Sequence, residues 1–189
     1  MTKKGLKICL PISLLFFIIV GIVFVTLFFT VFKPKNPNII VDPVGLEHLE
    51  FSTLFANLTS PSNLSLAMVI TMGNPNYGSF EFPTATGYVS YHDKIVGEVP
   101  IEGELVPQRD HITVKTFATL RPEKLTADPK FLTDAVSGSL NFTSESALPG
   151  KVHVLNIFKL KATVYCNCDI SFNITSKNVH SKCISELKF

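Results

Sequence analysis

Residues 158–175 alternate without interruption. Phe158, Leu160, Ala162, Val164, Cys166, Cys168, Ile170, Phe172 and Ile174 fall on one parity, and Lys159, Lys161, Thr163, Tyr165, Asn167, Asp169, Ser171, Asn173 and Thr175 on the other. Successive side chains of a strand point to opposite faces, so a period of two marks a strand with one face in a core and one in water. Such a strand would run about 56 Å at about 3.3 Å per residue, beyond ordinary strand length. A bend or bulge near Cys166-Asn167-Cys168 is expected to divide it.

The same parity recurs at Leu64, Leu66, Met68, Ile70 and Met72. Further strands are expected at 39–41, 46–55, 87–91 paired with 95–98 across His92-Asp93-Lys94, 111–120, and 140–146 ending in a Pro149-Gly150-Lys151 turn. One helix interrupts them. Asp128 suits its N-cap, Pro129 its first position and Gly138 its end, with Phe131, Leu132, Ala135 and Val136 on one face. A short turn at 122–125 precedes it, and the helix is expected to plug one end of the domain. Short strands at this spacing predict an all-β fold, an antiparallel immunoglobulin/fibronectin-like β-sandwich with one short helix.

A different pattern precedes the strands. Residues 8–32 carry no charge and span about 37 Å as a helix, enough for a bilayer core of about 30 Å. The run ends in T-V-F-K-P-K and lacks the small-x-small site of a cleaved signal peptide. The expected organisation is a cytosolic tail at 1–7, a single transmembrane signal anchor at 8–32, a Pro-rich stalk at 33–43 with Pro34, Pro37 and Pro43, and a β-sandwich domain at 44–189. Lys3, Lys4, Lys7 and the amino terminus outweigh Lys33 and Lys35, which puts the N-terminus inside. The triplets at Asn57, Asn63, Asn141 and Asn173 all follow the span, as glycosylation sites outside the cytosol would. The plasma membrane is the expected location, an endomembrane the alternative.

Without Lys3, Lys4 and Lys7 the 17 basic residues fall to 14 against 15 acidic ones. A near-neutral domain has no basic footprint for nucleic acid.

Outside the cytosol thiols oxidise. If the chain reverses around Thr175-Ser176-Lys177-Asn178, Cys168 and Cys183 are equidistant from the turn and close enough for a disulfide. Cys166 shares their face, so a Cys166 to Cys183 bridge stays open. A zinc site would draw on Cys166, Cys168, His180 and Cys183, but a C-x-C along one strand spreads its sulfurs. No metal or cofactor is expected. Cys9, at the cytosolic edge of the span, is a candidate for S-palmitoylation.

The sequence contains no G-x-S-x-G, P-loop, H-E-x-x-H or G-x-G-x-x-G. His48, His92, His111, His153 and His180 are expected at the surface without metal spacing. Glu98, Glu102 and Glu104 form a solvated run. No catalytic residues, and no enzyme, are expected.

The stretches T-V-F-K-P-K-N-P, G-N-P-N-Y-G-S-F, G-E-V-P-I-E, D-A-V-S-G-S-L-N-F-T and G-K-V-H-V-L-N-I-F-K-L-K-A-T cover nearly the whole chain. Together they resemble the membrane-anchored group-2 late embryogenesis abundant proteins of plants, also called the hydroxyproline-rich glycoprotein family, related to harpin-induced and non-race-specific disease-resistance proteins. The resemblance implies a β-sandwich on a single-pass anchor with roles in stress and defence, and no catalytic residue. The seven residues before the span are fewer than many relatives carry there.

The expected function is therefore a non-enzymatic interaction module, anchored through residues 8–32, with an unidentified protein or lipid partner. The alternative is lipid binding in a core lined by Leu66, Met68, Ile70, Phe142, Phe158, Leu160 and Phe172.

Overall fold

The computed structural model describes residues 3–31, 33–44, 64–154, 158–176 and 178–189. The strand expected at 46–55 and the sequons at Asn57 and Asn63 lie outside them. The chain divides into two compact units, Met1–Pro34 and Lys35–Phe189.

The first unit is helix α1, Lys3–Val31, of 29 residues. Among the described residues no helix is long and apolar enough to cross a membrane.

Among its described residues the second unit has ten strands: β1 Asn38–Pro43, β2 Leu64–Gly73, β3 Ser79–Phe82, β4 Ala85–Tyr91, β5 Lys94–Ile101, β6 Glu104–Val106, β7 His111–Leu120, β8 Ser139–Val154, β9 Phe158–Asn173 and β10 Asn178–Lys188. Two short helices, α2 Pro122–Thr126 and α3 Phe131–Ser137, separate β7 from β8. The antiparallel, largely β character matches the sequence. The strand order differs from two separate sheets, because hydrogen bonding joins all ten strands in one sheet. One path runs β1-β2-β7-β5-β4-β8, and β9 and β10 continue beyond β8. The sheet curls until its edges meet, and side chains bridge them: Ser181 Oγ donates to Val41 O at 2.7 Å, and Ser185 Oγ to Pro37 O. The result is a nearly closed barrel.

Two expectations fail in the same place. β9 is not divided at the C-x-C, and β8 does not turn at Pro149-Gly150-Lys151. The two strands pair from Ser139↔Asn173 to Val154↔Phe158 in continuous register. Each supplies the other's ladder along its length, so neither needs a break. On its far side β8 pairs with β4 over Thr143–Ser146 and with β3 over Lys151–His153. Pro149 falls in the gap between these two partners, where a missing N–H is tolerated. Gly150 permits β3 to approach, since a Cβ there would come within 2.7 Å of the Phe80 ring.

The expected stalk is shorter than 33–43, because β1 pairs with β2 and belongs to the barrel. The Asn-Pro-Asn turn holds the chain where it enters. Asn74, buried, donates from Nδ2 to Gly78 O at 2.8 Å and accepts from Asn76 N–H at 3.0 Å. Asn76 in turn accepts from Lys35 N–H at 2.7 Å and donates to Lys35 O at 2.8 Å.

Candidate apolar binding site

At the end capped by α2 and α3, side chains of β1, β2, β4, β7, β8, β9 and β10 line a cavity of about 110 Å³. Leu66 and Met68 of β2, Ala118 and Leu120 of β7, Phe142 of β8 and Phe172 of β9 line its walls. Leu125 of α2 and Phe131 of α3 line it from the helical end. Every lining side chain is apolar, so the space offers water no partner and can hold only an apolar group.

Of the seven residues expected to contact a lipid, Leu66, Met68, Phe142 and Phe172 line this cavity. Ile70 is buried beside a smaller space of about 30 Å³ with Leu148 and Cys168. Phe158 and Leu160 do not reach the core; they are 60% and 48% exposed. Parity gave them the right face, but the barrel interior ends near Ala162, the first buried residue of β9.

The helical cap differs in detail from its expected form. α3 starts at Phe131, and Asp128 acts one turn earlier, accepting from Lys130 N–H at 3.0 Å. Gly138 ends α3 with φ of 86°. Phe131 and Ala135 are buried, whereas Leu132 and Val136, expected on the same face, are 62% and 87% exposed. A two-turn helix lying on a barrel mouth buries one narrow stripe.

An ionic clip fastens this cap to the β4–β5 turn. His92 and Asp93 both have positive φ, 44° and 65°, the twist of a tight two-residue hairpin. The turn aims His92 between two carboxylates: Nδ1 lies 3.4 Å from Asp128 Oδ1, and Nε2 3.5 Å from Asp134 Oδ2. Lys94 Nζ sits 3.2 Å from Asp128 Oδ2. The Lys130 N–H bond, with Lys94 and His92, holds the Asp128 carboxyl below the usual carboxylate range despite its burial. Tyr91 donates to Asp134 Oδ2 at 2.6 Å and packs its ring on Phe131 and Phe142. Burial, then the Asp134 bond, raise the Tyr91 pKa. His92 was expected to be a plain surface residue, and its partners, over 30 positions away, gave no local signal. His153, also expected outside, is mostly buried, with Nε2 3.0 Å from Glu81 Oε2.

Deeper in the barrel Cys168 is bonded to Cys183, and their Cα atoms are 4.0 Å apart at directly opposed positions of β9 and β10. Cys166 is free and buried, its sulfur 3.6 Å from that of Cys168. Burial pushes its thiol up to about 11. The three sulfurs lie within 4.8 Å of one another, but the bridge uses two of them. His180, the fourth residue of the zinc alternative, is not in this cluster. Asn141 and Asn173 are exposed, and Asn173 Oδ1 accepts from Ser176 N–H at 2.9 Å. Cys9 lies on α1, outside the described side chains.

The fold and site define an antiparallel β-domain around an apolar cavity. No family model matches the chain. It is 27% identical over 176 residues to a late embryogenesis abundant protein of Arabidopsis thaliana, across 92% of this chain and 80% of that protein. The similarity supports the late embryogenesis abundant resemblance. Among solved structures, a crystal structure of an Archaeoglobus fulgidus protein matches at a TM-score of 0.35 and 8% identity, over 82% of this chain and 98% of that one. A solution structure of an Arabidopsis thaliana protein matches at 0.42 and 9%, over 84% and 83%.

Proposed function

We propose that the chain is a non-enzymatic module, held at a membrane by residues 8–32 with its β-domain outside the cytosol, that binds the apolar end of a lipid. The plasma membrane is its expected site. The stress setting follows from the resemblance to late embryogenesis abundant proteins, and defence is the related setting that resemblance implies. The anchor rests on the uncharged run of the sequence at 8–32.

The observation that carries the lipid reading is the cavity. An unfilled apolar space of about 110 Å³ costs on the order of 2–3 kcal/mol at roughly 24 cal/mol per Å³. Engineered cavities of roughly 150 Å³ take up benzene, so this one suits the terminus of an acyl chain and not a whole lipid.

The test uses the full chain in membranes supplied with a fatty acid that carries a photoreactive diazirine at its last carbon. Crosslinks on the peptides of Leu66, Phe131 and Phe142 are expected. Label confined to residues 8–32 would leave the cavity without a ligand and refute this reading.

A further inference from the structure

At the barrel end opposite the cavity, the β8–β9 hairpin outruns its neighbour. Among the described residues β9 pairs with β10 from Asn173 to Thr163, while its stretch from Phe158 to Ala162 pairs with β8. Its two faces differ in kind. Val152↔Leu160 and Val154↔Phe158 occupy one; Lys151↔Lys161 and His153↔Lys159 occupy the other. Lys151, Lys159 and Lys161 are exposed, as are Phe158 and Leu160. Like charges directly opposite on antiparallel strands repel. Against these three lysines the row holds one carboxylate, Glu81 opposite Lys151, with His153 Nε2 3.0 Å from its Oε2. Positive charge is thus left in surplus beside an unburied aromatic ring.

The chain also enters the domain at this end. Asn76 grips Lys35, and the same loop packs against the base of the hairpin, where a Cβ on Gly78 would lie 2.9 Å from Val152 Cγ1. Lys35 is therefore held on the side of the domain that the hairpin occupies.

We propose that this end docks on a lipid surface bearing anionic headgroups. Phe158 and Leu160 enter the interface, while Lys151, Lys159 and Lys161 extend their stems along the apolar layer and place their ammonium groups at phosphates. Each lysine near an anionic surface adds roughly a fivefold preference. The inference rests on the membrane-anchored reading, because a short tether from the bilayer keeps the hairpin within reach of it.

The chain contains no Trp, so Phe158→Trp introduces a sole reporter. The full chain carrying it is reconstituted into vesicles with brominated acyl chains, made of phosphatidylcholine alone or mixed with phosphatidylserine. Val136→Trp, at the capped end, is the reference. Strong quenching at 158 in the anionic vesicles is expected, weak quenching in neutral ones, and none at 136. Changing Lys151, Lys159 and Lys161 to Glu should abolish the quenching while the melting temperature holds. The proposal is overturned by an unquenched reporter at 158 in a chain that resists alkaline extraction, by equal quenching in both vesicles, or by stronger quenching at 136. Release of the chain by alkali would refute the anchor alone, and quenching at 158 by added anionic vesicles would then decide docking.

Discussion

The Tyr91 hydroxyl donates to Asp134 Oδ2 across 2.6 Å and joins the last residue of β4 to α3. Removing it with Tyr91→Phe keeps the ring contacts to Phe131 and Phe142. A hydrogen bond to a charged acceptor contributes about 1.5–3 kcal/mol. Asp134 is partly exposed, so the loss should fall near the lower bound. Phe131→Ala, which empties a fully buried position, should cost about 3–5 kcal/mol. Urea denaturation of both variants tests the order.

Acid should loosen the same cap. Asp128 has a depressed folded pKa, so its contribution is complete above the unfolded carboxyl value of about 3.9 and fades as the pH falls through the folded one. Asp128→Asn should flatten the acid limb of the stability profile and leave its slope near neutrality alone. An unchanged acid limb would show that other carboxylates dominate it.

The cysteines predict a contrast. A bridge between residues separated by 15 positions should contribute about 3 kcal/mol by restricting the unfolded chain, so Cys168→Ser should lower the melting temperature far more than Cys166→Ser. Cys166, with its thiol pushed up to about 11, should resist iodoacetamide at pH 8 until the protein unfolds. Non-reducing peptide mapping should return Cys168 joined to Cys183. Three free thiols with bound zinc would restore the metal alternative.

Ala118 is buried in the cavity wall. Ala118→Leu should fill part of the space, leave stability equal or slightly raised, and abolish crosslinking by the terminal diazirine.

For topology, endoglycosidase should increase the gel mobility of chain made in a secretory host. The exposed Asn141 and Asn173 are the first sequons to map. Changing Lys3, Lys4 and Lys7 together to Glu should give mixed orientation.

Much of this was legible because strands advertise themselves locally. The parity of 64–72 and 158–175 marked β2 and β9, and Gly138 marked the end of α3. What stayed hidden depends on partners distant in sequence. Pro149-Gly150 reads as a turn until the gap between β4 and β3 is known, and Phe158 carries core parity although the barrel has ended before it. The cavity is a deficit of packing, and no single residue announces a deficit. His92 reads as a turn residue until Asp128 and Asp134 are folded against it.

The seam between β1 and β10 sets an order of events during synthesis. Among the described strands β1 is made before the others and β10 after them, yet Ser181 and Ser185 of β10 are what reach Val41 and Pro37. Until the final strand emerges, both the β1 and β9 edges present unpaired backbone, which templates pairing with other chains. A nascent chain stalled before Ser181 is therefore an open sheet with two adhesive margins, and its safe passage depends on how quickly the last residues are delivered.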